Sequence, residues 1–128
     1  MRQSAGMFDR DPPLEGLPVG RLIQDVTNPA KSVPLRGRAI LEVGRRAENE
    51  PALQSQLAEW ITSHDFRHRR WVGTITLAWV AACSLAYSLR RSESSSLLAG
   101  ALSQWPSDER ALLLKWARNE DWFVGIVA

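Results

Sequence analysis

The chain has 128 residues, of which 45% are hydrophobic and 23% charged; this composition is typical of one globular domain and excludes a disordered polymer. Its formal net charge is +2, from 16 basic and 14 acidic side chains, so the charge permits a nucleic-acid partner without requiring one. Arginine accounts for 14 of the 16 basic residues, and its guanidinium group suits bidentate contact with phosphate or carboxylate.

Residues 1–17 contain prolines and glycines among scattered charges, which predicts an irregular N-terminal arm. Residues 18–128 are expected to form a single helical domain. The first helix begins near Val19 and ends before Pro29, because the residue that precedes a proline avoids the helical region. A second helix is predicted from about 33 to 47, with Ser32 as its N-cap and Pro34 in its first turn.

A third helix follows Asn49, which is expected to cap it. The longest predicted helix runs from about Phe66 to Arg91, with Asp65 as its N-cap. Its apolar residues are distributed all the way round, which is typical of a helix surrounded by its neighbours. Within it, residues 71–89 contain no charged side chain and are long enough to span a membrane. Trp79 would then lie at the bilayer centre, whereas tryptophan prefers the interfaces, so a membrane is not the preferred partner.

Ser92 and Ser94 open a fifth helix that ends at Trp105, and Ser107 caps a sixth. No stretch shows sustained period-two alternation, so no sheet is expected. The sequence therefore predicts an all-α fold: a compact bundle of six or seven short-to-medium helices around one long central helix.

The sequence contains no motif that indicates catalysis. His64 and His68 are four residues apart beside Asp65, which superficially resembles a zinc-protease helix, but the acid is Asp instead of Glu and no third histidine exists. No serine elbow and no phosphate-binding glycine loop is present. We therefore expect a protein that is not an enzyme, with no metal, no cofactor and no small-molecule substrate.

The single cysteine, Cys83, excludes an intrachain disulfide. Residues 1–5 begin no apolar run, so no secretory signal peptide is expected. Both features predict a cytoplasmic protein.

The basic run Arg67, His68, Arg69 and Arg70 is the sharpest candidate for a binding site. In the predicted long helix these residues fall at its N-terminal end, where the helix dipole disfavours cations. A bound anion would reverse that effect, so the run predicts contact with phosphate. Pairing of these arginines with neighbouring acids such as Asp65 is the open alternative.

Further arginines extend the candidate nucleic-acid-binding set. Arg90 and Arg91 follow the predicted long helix, where they complement its dipole. Arg38 and Arg45 lie seven residues apart on one face of the second helix, with Glu42 placed to pair with both.

The tryptophans divide into two groups. Trp60, Trp71 and Trp79 fall within helical apolar patterns and are expected in the core. Trp105 precedes a proline at a helix junction, and Trp122 lies in the short final segment with Phe123. These three, Trp105, Trp122 and Phe123, are predicted to be exposed and to form a protein interface.

Two similarities suggest how such a chain acts. The segment Leu57-Ala58-Glu59-Trp60, with Asp65 beyond it, matches Leu113-Leu114-Lys115-Trp116, with Asp121 beyond it, and so resembles HEAT-like repeats of stacked helix pairs. In size and helical class the chain also resembles the small subunits that line CRISPR effector complexes of antiviral defence. That resemblance implies stacking on protein neighbours, including copies of the same chain, and contact with nucleic acid through basic surfaces, and it carries over no individual residues.

Three functional hypotheses follow. The first is a non-enzymatic helical subunit of a nucleoprotein assembly that contacts neighbouring proteins and a DNA or RNA backbone. The second is a HEAT-like protein-interaction module. The third is a single-pass membrane protein with its span at 71–89.

Overall fold

The computed structural model describes residues 14–73, 75–91 and 96–117. Within these ranges the chain is mostly helical, as predicted, with one small two-stranded sheet in addition. A 3₁₀ turn covers Leu14–Gly16. The other elements, in chain order, are α1 (Val19–Thr27), α2 (Val33–Arg46), α3 (Pro51–Thr62), α4 (His64–His68), β1 (Arg70–Val72), β2 (Ile75–Thr76), α5 (Leu77–Ser88), α6 (Ser96–Leu102) and α7 (Ser107–Ala117).

The first two helices begin and end close to the predicted positions. Ser32 is the N-cap of α2, where its side chain accepts a hydrogen bond from the Leu35 amide at 3.3 Å. Residues 14–17 are the described part of the predicted arm, and they are held against α2 because Arg46 donates to the carbonyls of Leu14 and Leu17. Leu14 is buried in the core.

The long helix predicted over 66–91 is replaced by α4, a β-hairpin and α5. Gly73 turns the chain in the left-handed region, at φ +55°, and the residues around it (Val72, Thr74, Ile75 and Thr76) are β-branched and favour strands. β1 and β2 pair antiparallel, with Arg70 opposite Thr76. The segment proposed as a membrane span, residues 71–89, contains most of β1, all of β2 and the 12-residue helix α5. No helix in the described ranges is long and apolar enough to cross a bilayer.

The 12-residue helix α5 occupies the centre of the bundle. Every residue from Leu77 to Leu85 is buried, and α5 contacts α2, α3, α4, α6 and α7. Thr76 begins it by accepting a hydrogen bond from the Trp79 amide at 3.2 Å. The predicted long central helix is therefore not confirmed, but the contacts of the shorter α5 with helices on several sides explain why its apolar residues lie all the way round it.

Helices α2 and α5 run parallel and come very close. Gly44 of α2 meets Ser84 of α5, Gly37 earlier on α2 meets Trp71 of β1, and Glu48 after α2 lies near Arg90 after α5, so the contacts advance in the same direction along both chain segments. A Cβ atom at Gly44 would lie 2.6 Å from Ser84 Cβ, so the crossing requires glycine at that position.

Two of the predicted helix caps are corrected. Asn49 lies outside α3 in the left-handed region, at φ +62°, and Glu50 takes the N-cap position. Ser63, and not Asp65, caps α4 by accepting a hydrogen bond from the Phe66 amide. The predicted openers of the fifth helix, Ser92 and Ser94, lie outside the described residues, and α6 begins at Ser96.

Candidate nucleic-acid interface

The predicted basic run lies on α4 and β1 instead of at the start of a long helix. Arg67 is in the last turn of α4, Arg69 follows that helix, and Arg70 begins β1. A cation in a last turn complements the helix dipole. The dipole argument for a bound anion at this run is therefore wrong, and each arginine has to be assessed by its own contacts.

The guanidinium group of Arg67 contacts other side chains of the fold. Its Nη2 donates to Glu109 Oε1 at 2.7 Å, which ties α4 to α7. Its guanidinium carbon lies 4.5 Å from the centre of the Trp105 ring, a favourable cation–π contact. Glu109 also accepts a hydrogen bond from Trp79 Nε1 at 2.9 Å. These contacts account for Arg67 without a ligand.

Asp65 contacts two arginines, of which Arg69 is exposed and Arg36 is buried. Its Oδ1 accepts a hydrogen bond from Arg69 Nη2 at 2.8 Å, and its Oδ2 lies 3.6 Å from Nη2 of Arg36. The hydrogen bond from Arg69, supported by the charges of Arg69 and Arg36, holds the pKa of Asp65 below its ordinary value, although desolvation opposes the shift. The pairing of Arg69 with Asp65 that the sequence left open is therefore present.

Arg70 and Arg38 are next in sequence to the residues through which the hairpin rests on α2. The Trp71 ring covers Gly37, where a Cβ atom would overlap it, and Trp71 Nε1 donates to the Pro34 carbonyl at 3.4 Å. Arg38 follows that glycine, Arg70 precedes that tryptophan, and both arginines are exposed. Arg70 has no acidic partner among the residues that the structure describes. We call Arg38, Arg69, Arg70 and Trp71 the hairpin surface.

The remaining predicted arginines lie at the other end of the bundle. Arg45 is about 10 Å from Arg38 along α2, at 1.5 Å per residue, and it pairs with Glu42 at 2.8 Å as expected. Arg46 also binds Glu42, at 2.8 Å. Arg90 and Arg91 both lie 3.6 Å from Glu48 carboxylate oxygens. The predicted set therefore divides into two separate groups. Acids pair with Arg45, Arg90 and Arg91 in the second group, and with Arg67 and Arg69 in the first.

The two histidines lie on the exposed side of α4. Their ring centres are 4.3 Å apart, and His68 Nδ1 is 2.8 Å from the His64 carbonyl oxygen. With Arg67, Gln104 and Trp105 they line a cavity of about 430 Å³. In the described ranges no three His, Cys, Asp or Glu side chains come together as a metal site.

The predicted protein interface is corrected at Trp105. It is 3% exposed, and its Nε1 donates to the Ile61 carbonyl at 3.3 Å, so Trp105 is a core residue. Trp122 and Phe123 lie outside the described residues. Trp60 and Trp79 are buried as predicted, whereas Trp71 is only partly buried.

Sequence reasoning missed Arg36, which is 2% exposed. Its Nε donates to the Val26 carbonyl at 2.8 Å, and its guanidinium carbon lies 5.3 Å from the Phe66 ring centre. The signal was its spacing: Arg36 lies one turn before Ile40 on the buried face of α2.

Comparison with known proteins gives no relative for this chain. No protein-family model, no curated protein and no solved structure matches it.

Proposed function

We propose that this chain is a non-enzymatic helical subunit of a larger nucleoprotein assembly, and that its hairpin surface contacts the nucleic-acid backbone. The single observation that carries the proposal is the position of Arg70. It is exposed on a short hairpin, without an acidic partner among the described residues, beside two further exposed arginines. Guanidinium groups bind phosphate in a bidentate manner.

The charge balance of the hairpin surface supports this proposal. Of its exposed arginines, Arg69 is paired with Asp65, whereas Arg70 has no acidic partner among the described residues. At the other end of the bundle, Glu42 and Glu48 together contact four arginines, and each carboxylate is shared by two of them. Arg70 therefore adds an exposed positive charge at the hairpin that no acid of the described residues pairs with.

The packing of the hairpin favours a defined binding geometry. Trp71 rests on Gly37 and bonds to the Pro34 carbonyl, and the Leu77 amide donates to the Arg69 carbonyl at 2.8 Å. The backbone that carries Arg69 and Arg70 is therefore fixed to α2 and α5. Arginines on a fixed backbone lose less conformational entropy on binding than those on a free loop.

The proposal is tested by the salt dependence of nucleic-acid binding. Phosphate contacts release counterions, so each lost contact should lower the slope of log affinity against log salt by about 0.7–0.9. The double variant Arg38→Gln/Arg70→Gln should bind unrelated single-stranded and double-stranded oligonucleotides more weakly, with a slope lower by about 1.4–1.8. Fluorescence anisotropy over a salt series measures both quantities.

The matched control is Arg45→Gln/Arg91→Gln, which removes the same charge from the other end of the bundle. It should leave the slope nearly unchanged, because each of these arginines already faces a glutamate. Equal losses in the two variants would show that only the total charge matters. An unchanged slope in the hairpin variant would reject the hairpin surface as the contact.

A HEAT-like protein-interaction module is the second candidate. It is favoured by exposed leucines on α6 and α7: Leu97 is 36% and Leu112 is 50% exposed. Apolar side chains of this size on neighbouring helices suit a protein partner. The tagged chain, purified from its own cells with and without nuclease, separates the two functions. Partners that remain after nuclease treatment and are lost with Leu97→Ser/Leu112→Ser would favour the interaction module.

A further inference from the structure

A cavity of about 530 Å³ lies between the α1–α2 turn, α3 and α4, next to the hairpin surface. Both of the arginines that contact Asp65 line it. The cavity wall includes Arg36, Glu59, Trp60, Asp65, Phe66 and Arg69. A buried arginine that lines a cavity is unusual, since buried charges are normally fully paired.

Arg36 keeps hydrogen-bonding capacity on its outer edge. Arginine carries five N–H donors, and the hydrogen bond that the structure gives Arg36 uses its Nε, toward the Val26 carbonyl. The 3.6 Å between its Nη2 and Asp65 Oδ2 exceeds the 2.7–2.9 Å that is typical of a charge-assisted hydrogen bond. Among the described residues, the guanidinium group therefore has a loosely held counter-ion on the cavity side.

Of the side chains that line the cavity, Asp65 is the one that can rotate away from the two arginines. Half of its side chain is exposed, and it lies on the five-residue helix α4. Rotation of its carboxylate toward solvent would release Arg69 completely and leave Arg36 without an anion. Two guanidinium groups would then face one cavity from adjacent elements.

We propose that a phosphate group displaces the Asp65 carboxylate and binds between Arg36 and Arg69, so that Asp65 acts as an intramolecular competitor of the bound anion. The inference rests on the proposed function, since the hairpin surface would bring a nucleic-acid backbone to this cavity. A phosphodiester has two free oxygens, which can accept from two different guanidinium groups. Arg69 belongs to both sites and connects them.

The other carboxylate of the cavity, Glu59, opposes the anion. Glu59 is exposed and has no ion pair among the described residues. The cavity thus contains two arginines and two carboxylates, and a lone phosphate gains little there. Binding of a phosphate group in the cavity then depends on the additional contacts that Arg38 and Arg70 make with the same nucleic-acid backbone. Asp65 therefore keeps out isolated anions, which lack those contacts.

The test compares Asp65→Asn with Glu59→Gln, because both remove one negative charge from the same cavity. Only the first change frees ion-paired arginines. Asp65→Asn should tighten binding of a short single-stranded oligonucleotide on the order of fivefold, and Glu59→Gln should tighten it less than about twofold, since its effect acts through screened solvent. Arg69→Gln in the Asp65→Asn background should abolish the gain. Substitution of Arg36 is avoided because its burial makes unfolding the expected result.

Inorganic phosphate is the second probe, and it separates this inference from the proposed function. If no variant binds the oligonucleotide but Asp65→Asn binds inorganic phosphate saturably, and more tightly than the unchanged chain, the anion site stands and the nucleic-acid function fails. If Asp65→Asn and Glu59→Gln tighten oligonucleotide binding equally, the displacement of Asp65 is rejected. If Asp65→Asn binds neither probe, the site itself is rejected.

Discussion

Neighbouring arginines of the same basic run have different roles because their partners differ. Arg67 is stacked on Trp105 and bound by Glu109, so its charge holds α4 to α7. Arg69 shares Asp65 with a buried arginine, and Arg70 is exposed on a strand. The sequence indicated that the run is charged, but partners 42 residues away along the chain, as for Arg67 and Glu109, depend on tertiary packing.

Glu109 should contribute to stability through two contacts at once. Glu109→Gln weakens the acceptor for the Arg67 guanidinium and the Trp79 indole N–H, both partly buried, and we expect a loss of about 1–2 kcal/mol in the free energy of unfolding. Asp108→Asn is the control, because it removes the same charge from the same turn of α7. Urea denaturation measures both. A loss of equal size in the two variants would attribute the effect to the helix dipole.

The thiol of Cys83 should be unreactive in the folded chain. Burial raises the pKa of its thiol to about 12, and the thiolate is the reactive form. We expect slow labelling by a thiol reagent at pH 8 under native conditions and fast labelling in denaturant. Rapid stoichiometric labelling of the folded chain would contradict the position of Cys83 in the core.

At the scale of elements, the local sequence signals were sufficient to predict the ends of α1 and α2. They were not sufficient to predict the secondary structure of residues 66–91. Ser32, Pro29 and Pro34 act on adjacent backbone, so the ends of these two helices could be predicted from the sequence. The hairpin was missed because its apolar residues continue directly into those of α5, and apolar content alone does not distinguish a strand from a buried helix. The glycine at position 73 among β-branched residues was the available signal.

The parallel crossing of α2 and α5 gives a prediction for the glycines of these helices. Gly44→Ala would place Cβ 2.6 Å from Ser84 Cβ and 3.1 Å from Ser84 Cα, and such overpacking should cost about 1–3 kcal/mol. Gly100→Ala in α6 meets no atom within 4 Å and should stabilise the chain by about 0.5–1 kcal/mol. Thermal unfolding compares the two. A stabilising Gly44→Ala would contradict the close crossing.

At the scale of the whole molecule, the fold separates arginines that look equivalent in the sequence. The hairpin that carries Arg69 and Arg70 packs on the N-terminal half of α2 at Gly37, while Arg45 lies in its C-terminal half with Glu42, and Arg90 and Arg91 lie beside Glu48, which follows that helix. Residue types and helix faces could be inferred from the sequence. The assignment of each arginine to one end of the bundle could not be inferred from the sequence. It depends on α2 and α5 running in the same direction, which no local sequence pattern indicates.

The most direct test of the central claim is ultraviolet cross-linking of the chain to bound single-stranded RNA or DNA, with adducts located by mass spectrometry. If the hairpin surface contacts nucleic acid, adducts should concentrate at residues 68–72, where the partly exposed Trp71 follows Arg70 on β1. They should disappear in Arg38→Gln/Arg70→Gln and persist in Arg45→Gln/Arg91→Gln. Adducts confined to the end of the bundle near Glu48, or a pattern that is identical in the two variants, would contradict the account.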